Sequence, residues 1–361
     1  MNWEIKKLKE VCEKGSSNIS QNKIKDDNGE YPIYGAKGFI KKVSFYHQNK
    51  EYISIIKDGA GIGRLNFREP FSSVIGTLQY LIPKPEMDIK YLYYFLLNID
   101  FIKYSQGAAI PHIYFKDYSK EEILVPPLPI QKQIVKILDK TFEKISKAKE
   151  HSKQNLKNTK EVFESYLQNV FENKGEGWEE KKLNQISENL DNKRVPITKN
   201  IRTKGSIPYY GASGIVDYVA EYIFDEDLLL VSEDGANLLA RVYPIAFSIS
   251  GKAWVNNHAH ILRFRDKISQ TFVEFYLNAI KLDDFVSGMA QPKLNQTMLN
   301  KIPIPFPPIP QQKVIVTKLN LLSTETKKLE SIYTQKIANL EGLKQSILQK
   351  AFKGELTGVL A

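Results

Sequence analysis

Val125-Pro126-Pro127-Leu128-Pro129-Ile130-Gln131-Lys132 opens a helical pattern that runs to about Phe171. Phe306-Pro307-Pro308-Ile309-Pro310-Gln311-Gln312-Lys313 opens another that runs to about Phe352. Proline fits just before and at a helix start but not inside one, so each stretch reads as an elbow that feeds a helix. Two such elbows divide the chain into two copies of one plan, each a globular part followed by a rod.

The rest of the chain repeats around the elbows. Trp3-Glu4-Ile5-Lys6-Lys7-Leu8 recurs as Trp178-Glu179-Glu180-Lys181-Lys182-Leu183, and Tyr34-Gly35-Ala36-Lys37-Gly38 as Tyr210-Gly211-Ala212-Ser213-Gly214. Asp58-Gly59-Ala60 recurs as Asp234-Gly235-Ala236, and Gly107-Ala108-Ala109-Ile110-Pro111 as Gly288-Met289-Ala290-Gln291-Pro292. The early anchors are offset by 175 to 176 positions and the later ones by 181, so about five extra residues in the second copy suffice. The boundaries are two globular parts, 1–129 and 173–309, two helical segments, 130–172 and 310–356, and a tail, 357–361.

Within each globular part the early residues read as strands. Tyr52-Ile53-Ser54-Ile55-Ile56 and Leu228-Leu229-Leu230-Val231 are short apolar runs bounded by Asp-Gly turns. Leu78 to Ile82, Ala246 to Ile249 and Ile261 to Phe264 add further strands. One helix follows in each copy, Lys90 to Asn98 and Gln270 to Leu277, and the fold class is α+β with a twisted, mainly antiparallel sheet. After the elbows, apolar residues recur at steps of three and four from Ile134 and from Ile315. About forty residues of helix span about 60 Å. A stripe that long wants a helical partner of equal length, and the other copy supplies it. The linker around Gly175 and Gly177 leads into a whole globular part before the second helix, so the helices are expected to run antiparallel, with a pseudo-twofold axis between the copies.

Composition narrows the chemistry. The chain has 361 residues and a single cysteine, Cys12, which excludes a disulfide framework and a cysteine metal cluster and suits a reducing cytoplasm. The richest apolar run, Tyr91 to Ile102, is too short to span a membrane. The net charge of +10 invites a nucleic-acid partner. Much of the excess lies on the helices, with 9 Lys/Arg against 6 Asp/Glu in 130–172 and 8 against 3 in 311–353, whereas 173–310 balances at 16 against 16.

Catalytic patterns are missing from the sequence. No phosphate-binding loop or dinucleotide fingerprint precedes a helix, and Gly59-Ala60-Gly61-Ile62-Gly63 reads as a turn because its matched segment, Gly235-Ala236-Asn237-Leu238-Leu239, lacks the glycines. His258 and His260 point to opposite sides of a strand and read as strand residues, and Asp58 and Asp234 as turn residues. No cofactor is expected. The duplicated loops instead keep one frame and change its polar positions. Lys37 faces Ser213 across the repeat; Ile110, His112 and Tyr114 face Gln291, Lys293 and Asn295; Arg64 and Arg241 sit one position out of register. Such side chains make hydrogen bonds to base edges in the major groove. The candidate DNA-contacting set is Lys37, Lys57, Arg64, Gln106, His112 and Tyr114 in the first copy. In the second it is Ser213, Asn237, Arg241, Gln291, Lys293 and Asn295.

The ordered set resembles the specificity subunits of type I restriction–modification systems: the Trp-x-x-x-x-Leu start, Tyr-Gly-x-x-Gly turn, Asp-Gly turn, Gly-x-x-x-Pro loop, Pro-Pro-x-Pro elbow and long helix, all twice. The segment Leu343-Lys344-Gln345-Ser346-Ile347-Leu348-Gln349-Lys350-Ala351-Phe352 is similar to the family's closing segment, with Ser165 to Phe171 as its counterpart. The resemblance covers essentially the whole chain. It implies two target-recognition domains that read a bipartite, gapped double-stranded DNA site. It also implies helices that dock two modification subunits, restriction subunits joining that complex, and no chemistry in this chain. A two-headed adaptor or spacer that binds proteins only is the alternative. An enzyme with its own site is a second.

Overall fold

The computed structural model describes residues 3–107, 109–288 and 290–356. Ala108 and Met289 of the repeated Gly-x-x-x-Pro loop and the tail 357–361 lie outside them. The chain forms two compact units, Met1–Lys153 with Gln335–Ala361 and Gln154–Thr334.

The first unit carries β1 (Glu4–Lys7), β2 (Cys12–Ser16), β3 (Tyr31–Gly35), β4 (Gly38–Val43), β5 (Tyr52–Ile56), β6 (Leu65–Arg68), β7 (Ser73–Val74), β8 (Leu78–Pro83) and β9 (Glu122–Val125). One sheet runs β2-β8-β5-β6, all antiparallel, and a second runs β4-β3-β7, in which β3 and β7 are parallel. β5 is buried at every position, as an apolar run interrupted only by Ser54 requires of a strand covered on both faces. β1 pairs with β9, a pairing the sequence reading did not contain. Both are short, and Glu4-Ile5-Lys6-Lys7 has no alternating apolar signal.

The second unit repeats this plan with β10 (Glu179–Lys182), β11 (Ser187–Asn189), β12 (Lys204–Gly211), β13 (Gly214–Val219), β14 (Phe224–Asp225), β15 (Leu228–Ser232), β16 (Ala246–Ile249), β17 (Lys252–Val255), β18 (Ala259–Phe264) and β19 (Pro303–Phe306). Its sheets run β11-β18-β15-β16 and β13-β12-β17-β14, and β10 pairs with β19. The α+β expectation therefore holds in both copies. Each has its helix after the sheet, Ile89–Leu97 and Lys267–Ala279. Asp88 caps the first by accepting from the Lys90 and Tyr91 amides at 2.9 and 3.0 Å, and Asp266 caps the second from Ser269 N at 2.8 Å.

The elbows become helix at Leu128 and Ile309, giving Leu128–Glu172 and Ile309–Phe352. The glutamine of each elbow is wholly buried. Gln131 Nε2 donates to the carbonyls of Pro126 and Glu86 at 2.8 and 2.9 Å, and its Oε1 accepts from Asp88 N at 2.8 Å. Gln312 Nε2 donates to Pro307 O at 2.7 Å. A buried carbonyl left without a donor costs about 1–3 kcal/mol, which explains the amide of Gln131, whose oxygen and nitrogen are both engaged.

In the first unit the two long helices run antiparallel. Lys149 pairs with Glu341, and Lys344 lies over the Phe142 ring at 5.2 Å, so numbers fall along one helix as they rise along the other. The second unit shows the same sense, with Asn155 donating to Tyr333 OH at 3.4 Å and Lys318 over Tyr166 at 4.9 Å. The apolar seam is narrower than its spacing suggested. Val162, Leu329 and Leu343 remain 68%, 39% and 48% exposed, because two helices alone cover one thin line of each other.

Burial is deepest where a helix end meets a globular part. Phe352 packs on Tyr91 and Phe95, ring centroids 5.0 and 5.5 Å away, beside buried Leu348 and Ala351. Phe171 packs on Phe272 and Tyr276 at 5.5 and 5.1 Å, beside buried Leu167. The repeat aligns Phe171 with Phe352, so each copy's helix end completes the core that the other copy's globular part begins.

Candidate nucleic-acid interface

The two repeated loops meet through the same backbone bonds in both units. In the first, Gly59 N donates to Pro111 O at 2.8 Å, Ile113 N to Lys57 O at 2.9 Å, and Gln106 and His112 exchange bonds of 2.8 Å. In the second, Gly235 N donates to Pro292 O at 3.0 Å, Leu294 N to Glu233 O at 2.8 Å, and Ser287 and Lys293 exchange bonds of 2.9 and 2.8 Å. Gly107 and Gly288 turn these loops at φ +90° and +83°, and a Cβ at either would stand 2.6 Å from the carbonyl of Ile110 or Gln291. Only glycine fits that backbone.

Different side chains hang on this shared frame. His112 pairs with Asp58 and packs against Tyr114 with ring centroids 4.1 Å apart and planes tilted by 54°, while Lys57 Nζ lies 2.5 Å from Asp58 Oδ2. Tyr114 is 43% exposed, with Lys116 Nζ 5.2 Å from its ring. Exposed Gln106 donates to Asp117 Oδ2 at 3.1 Å. In the second unit Gln291, Lys293 and Asn295 are exposed. Lys293 Nζ reaches Glu233 Oε1 at 3.1 Å, and Asn295 accepts from Met298 N at 3.0 Å as the cap of the next helix. Lys37 and Ser213 occupy the turns between β3 and β4 and between β12 and β13, both exposed. Ser213 Oγ donates to Tyr243 OH at 3.1 Å, and Ser232 Oγ bonds the carbonyl of Ala212, which ties that turn to the Asp234 loop.

Beneath the second loop lies a charged cluster. His260, 1% exposed, sets Nδ1 2.5 Å from Asp191 Oδ2 and donates from Nε2 to Leu294 O at 2.7 Å. Arg194 Nη1 contacts Glu233 Oε2 at 2.5 Å and donates to Ala259 O at 3.0 Å. Burial pushes the Asp191 carboxyl up, but the hydrogen bond and charge of His260, the Ile261 amide and Arg194 together hold it below the usual carboxylate range. Glu233 follows the same logic, with burial opposed and outweighed by Arg194, Lys293 and His260. Asp191, Glu233 and His260 bring ligand-type atoms within 4.8 Å of one another. The Arg194 guanidinium and Lys293 already supply the positive charge there, so the cluster works as a brace for the loop. In the sequence His260 reads as a plain strand residue. Asp191 is 69 positions away, and no local spacing signals the pair.

The two remaining second-copy candidates turn inward. Asn237 is buried; its Oδ1 accepts from the amides of Val242 and Tyr243 at 2.9 and 3.2 Å, and its Nδ2 donates to Tyr243 O at 2.8 Å. Arg241 takes a left-handed backbone, φ +54°, and its guanidinium donates to the carbonyls of Leu277, at 3.0 Å, and Ile280. The register expected between Arg64 and Arg241 is corrected here. Ile56 N donates to Arg64 O and Ser232 N to Ile245 O, so Ile245 stands where exposed Arg64 does. The five extra residues of the second copy lie in this loop, between Ser232 and Ile245. The jump in offset from 176 to 181 bounded the insertion but could not locate it.

A family model described as the type I restriction modification DNA specificity domain matches residues 1–158 and again 175–339. A relative from Haemophilus influenzae, a putative type I restriction enzyme specificity subunit, is 35% identical over 162 residues, 45% of this chain and 41% of that protein's length. The MjaVIII specificity subunit of Methanocaldococcus jannaschii is 28% identical over 81% of this chain and 78% of its own. Among solved structures, a chain from work on complex assembly and conformational transition of the type I R-M system superposes with a TM-score of 0.76 at 17% identity, covering 98% of each chain. No helix among the described residues is long and apolar enough to cross a membrane.

Proposed function

The chain belongs to the type I restriction modification DNA specificity family, and from that premise we propose that it reads a bipartite, gapped DNA site, one half with each recognition part, 1–129 and 173–309. The observation that carries the proposal is the loop frame built twice with the same backbone bonds and different exposed side chains. A scaffold held by its main chain leaves its side chains free to specify bases, and different side chains specify different half-sites. Lys37, Lys57, Arg64, Gln106, His112 and Tyr114 face one half-site, and Ser213, Gln291, Lys293 and Asn295 the other. Asn237 and Arg241 belong to the second reader as supports, since their polar groups hold the loop.

The long helices set the distance between half-sites. Exposed apolar positions on the helices, Val162 and Leu329 in the second unit and Leu343 in the first, are where two modification subunits dock, with restriction subunits joining that complex. The chain supplies specificity, and adenine methylation and cleavage belong to those partners. Base flipping then takes place into the modification subunits.

The test is to assemble the chain with its modification subunits and map methylated adenines. Replacing residues 1–129 with another recognition part changes one half of the methylated site and leaves the other intact. A change in both halves, or methylation without sequence preference, would overturn the proposal.

A further inference from the structure

The loop that the second copy alone enlarges ends in an exposed aliphatic side chain. Ser232 to Ile245 contains five more residues than Ile56 to Arg64, and the extra length forms the short helix Asn237–Ala240 and the turn after it. Val242 stands at that turn and is 81% exposed, the most exposed of the large hydrophobic side chains among the described residues. Water does not hold it there; the loop is built to put it there. Arg241 accepts a left-handed backbone just before it, with its guanidinium anchored on Leu277 and Ile280. Asn237 holds the Val242 and Tyr243 amides from beneath. Tyr243, half exposed, receives the hydrogen bond of Ser213 on the neighbouring turn, so Val242 is continuous with the surface assigned above to the second half-site. In the first unit the corresponding stretch is Gly61-Ile62-Gly63, and Ile62 packs against the core.

We infer that Val242 is a specificity-determining residue of the second recognition part and contacts the C5-methyl group of a thymine in the major groove. This rests on the DNA-reading function proposed above. A branched aliphatic side chain has no hydrogen bond to offer a base edge or a phosphate. The thymine methyl is the one apolar group that the major groove presents, and aliphatic side chains are its partners. A tip held by the buried Asn237 amide and the half-buried Arg241 guanidinium meets its target with little ordering cost, as a short side chain reading one methyl must.

The experiment uses the complex with its modification subunits and its own site, with deoxyuridine replacing thymine at each A·T pair of the second half-site in turn, on either strand. Loss of one methyl contact at about 0.8 kcal/mol corresponds to about fourfold weaker binding. The expected result is one position at which uracil costs about fourfold. Val242→Ser should weaken binding to the thymine duplex by a similar factor and abolish the penalty at that position, while Val242→Thr, which keeps a methyl, should retain it. Since Val242 is exposed, neither variant disturbs a core. A half-site without A·T pairs, tolerance of uracil throughout it, or a penalty unchanged in Val242→Ser would overturn the inference, and intact discrimination by the complex would leave the DNA-reading function standing. A complex that discriminates neither half-site overturns both.

Discussion

The same loop rests on different foundations in the two units. In the second, His260 joins Asp191 to the Leu294 carbonyl, and Arg194 and Lys293 flank Glu233. In the first, the strand position matching His260 holds Gln79, whose Oε1 accepts from Tyr118 OH at 2.8 Å, and the position matching Glu233 holds Lys57. The buried pair beneath the second loop is ionic and that beneath the first, Gln79 with Tyr118, is neutral, with Lys57 paired to Asp58 in the loop itself, yet the main chain above them makes the same bonds. The loop conformation is therefore a property of the backbone frame, and the buried side chains beneath it were free to diverge as long as each set satisfied itself.

The largest test addresses what the copies share. Phe171→Ala and Phe352→Ala each remove a buried aromatic and should cost about 3–5 kcal/mol by denaturant unfolding. The loss should appear in the opposite copy: hydrogen exchange should accelerate around Phe272 for the first substitution and around Tyr91 for the second. Acceleration of the substituted copy's own sheet would break the reciprocal packing described above.

Asp191→Ala should cost about 3 kcal/mol, because it strips the buried His260 of its carboxylate partner, while Arg194 keeps Glu233. Gln79→Ala, leaving one neutral hydroxyl unpaired, should cost about 1–2 kcal/mol. Equal losses would mean that the ionic brace has no special weight. Gly107→Ala and Gly288→Ala should each cost about 2 kcal/mol, since both meet the same backbone strain and the same carbonyl. Unequal losses would show that the two frames differ after all.

The smallest effect is a dependence on pH. Asp191 and Glu233 are held below their ordinary values of 3.8 and 4.5, so the stability they contribute is complete above those values and is lost as pH falls through the lowered folded ones. Below about pH 4 the Leu294 amide should exchange faster relative to the Ile113 amide, its counterpart on the neutral brace. Equal acceleration of both amides would contradict the distinction.

Much of this was legible in the residues. The elbows, the antiparallel helices, the buried central strands and the repeated loops all carry local signals: proline, period, apolar run, glycine. The short pairs β1–β9 and β10–β19 were not legible, because Glu4–Lys7 and Glu179–Lys182 carry charges on both faces and have no period to read. The ionic brace joins residues 191, 194, 233 and 260, whose proximity exists only after folding. Asn237 and Arg241 were picked for their polarity, but whether a polar side chain faces solvent or a neighbouring carbonyl depends on a turn that the sequence does not announce. Val242 was passed over because an aliphatic residue in a loop resembles any other until its exposure is seen.

The reciprocal packing of the helix ends has a consequence for synthesis. The second unit is one continuous stretch of chain, and all of its core has been made once residue 334 has left the ribosome. The first unit begins earlier and finishes later, because Leu348, Ala351 and Phe352 are translated only after the whole second unit. Until they arrive, Tyr91 and Phe95 lack their cover, and the unit that is begun first closes after the other. Any chain that stops before residue 335 would release a finished second unit joined to an unfinished first one, with its apolar groove open to aggregation.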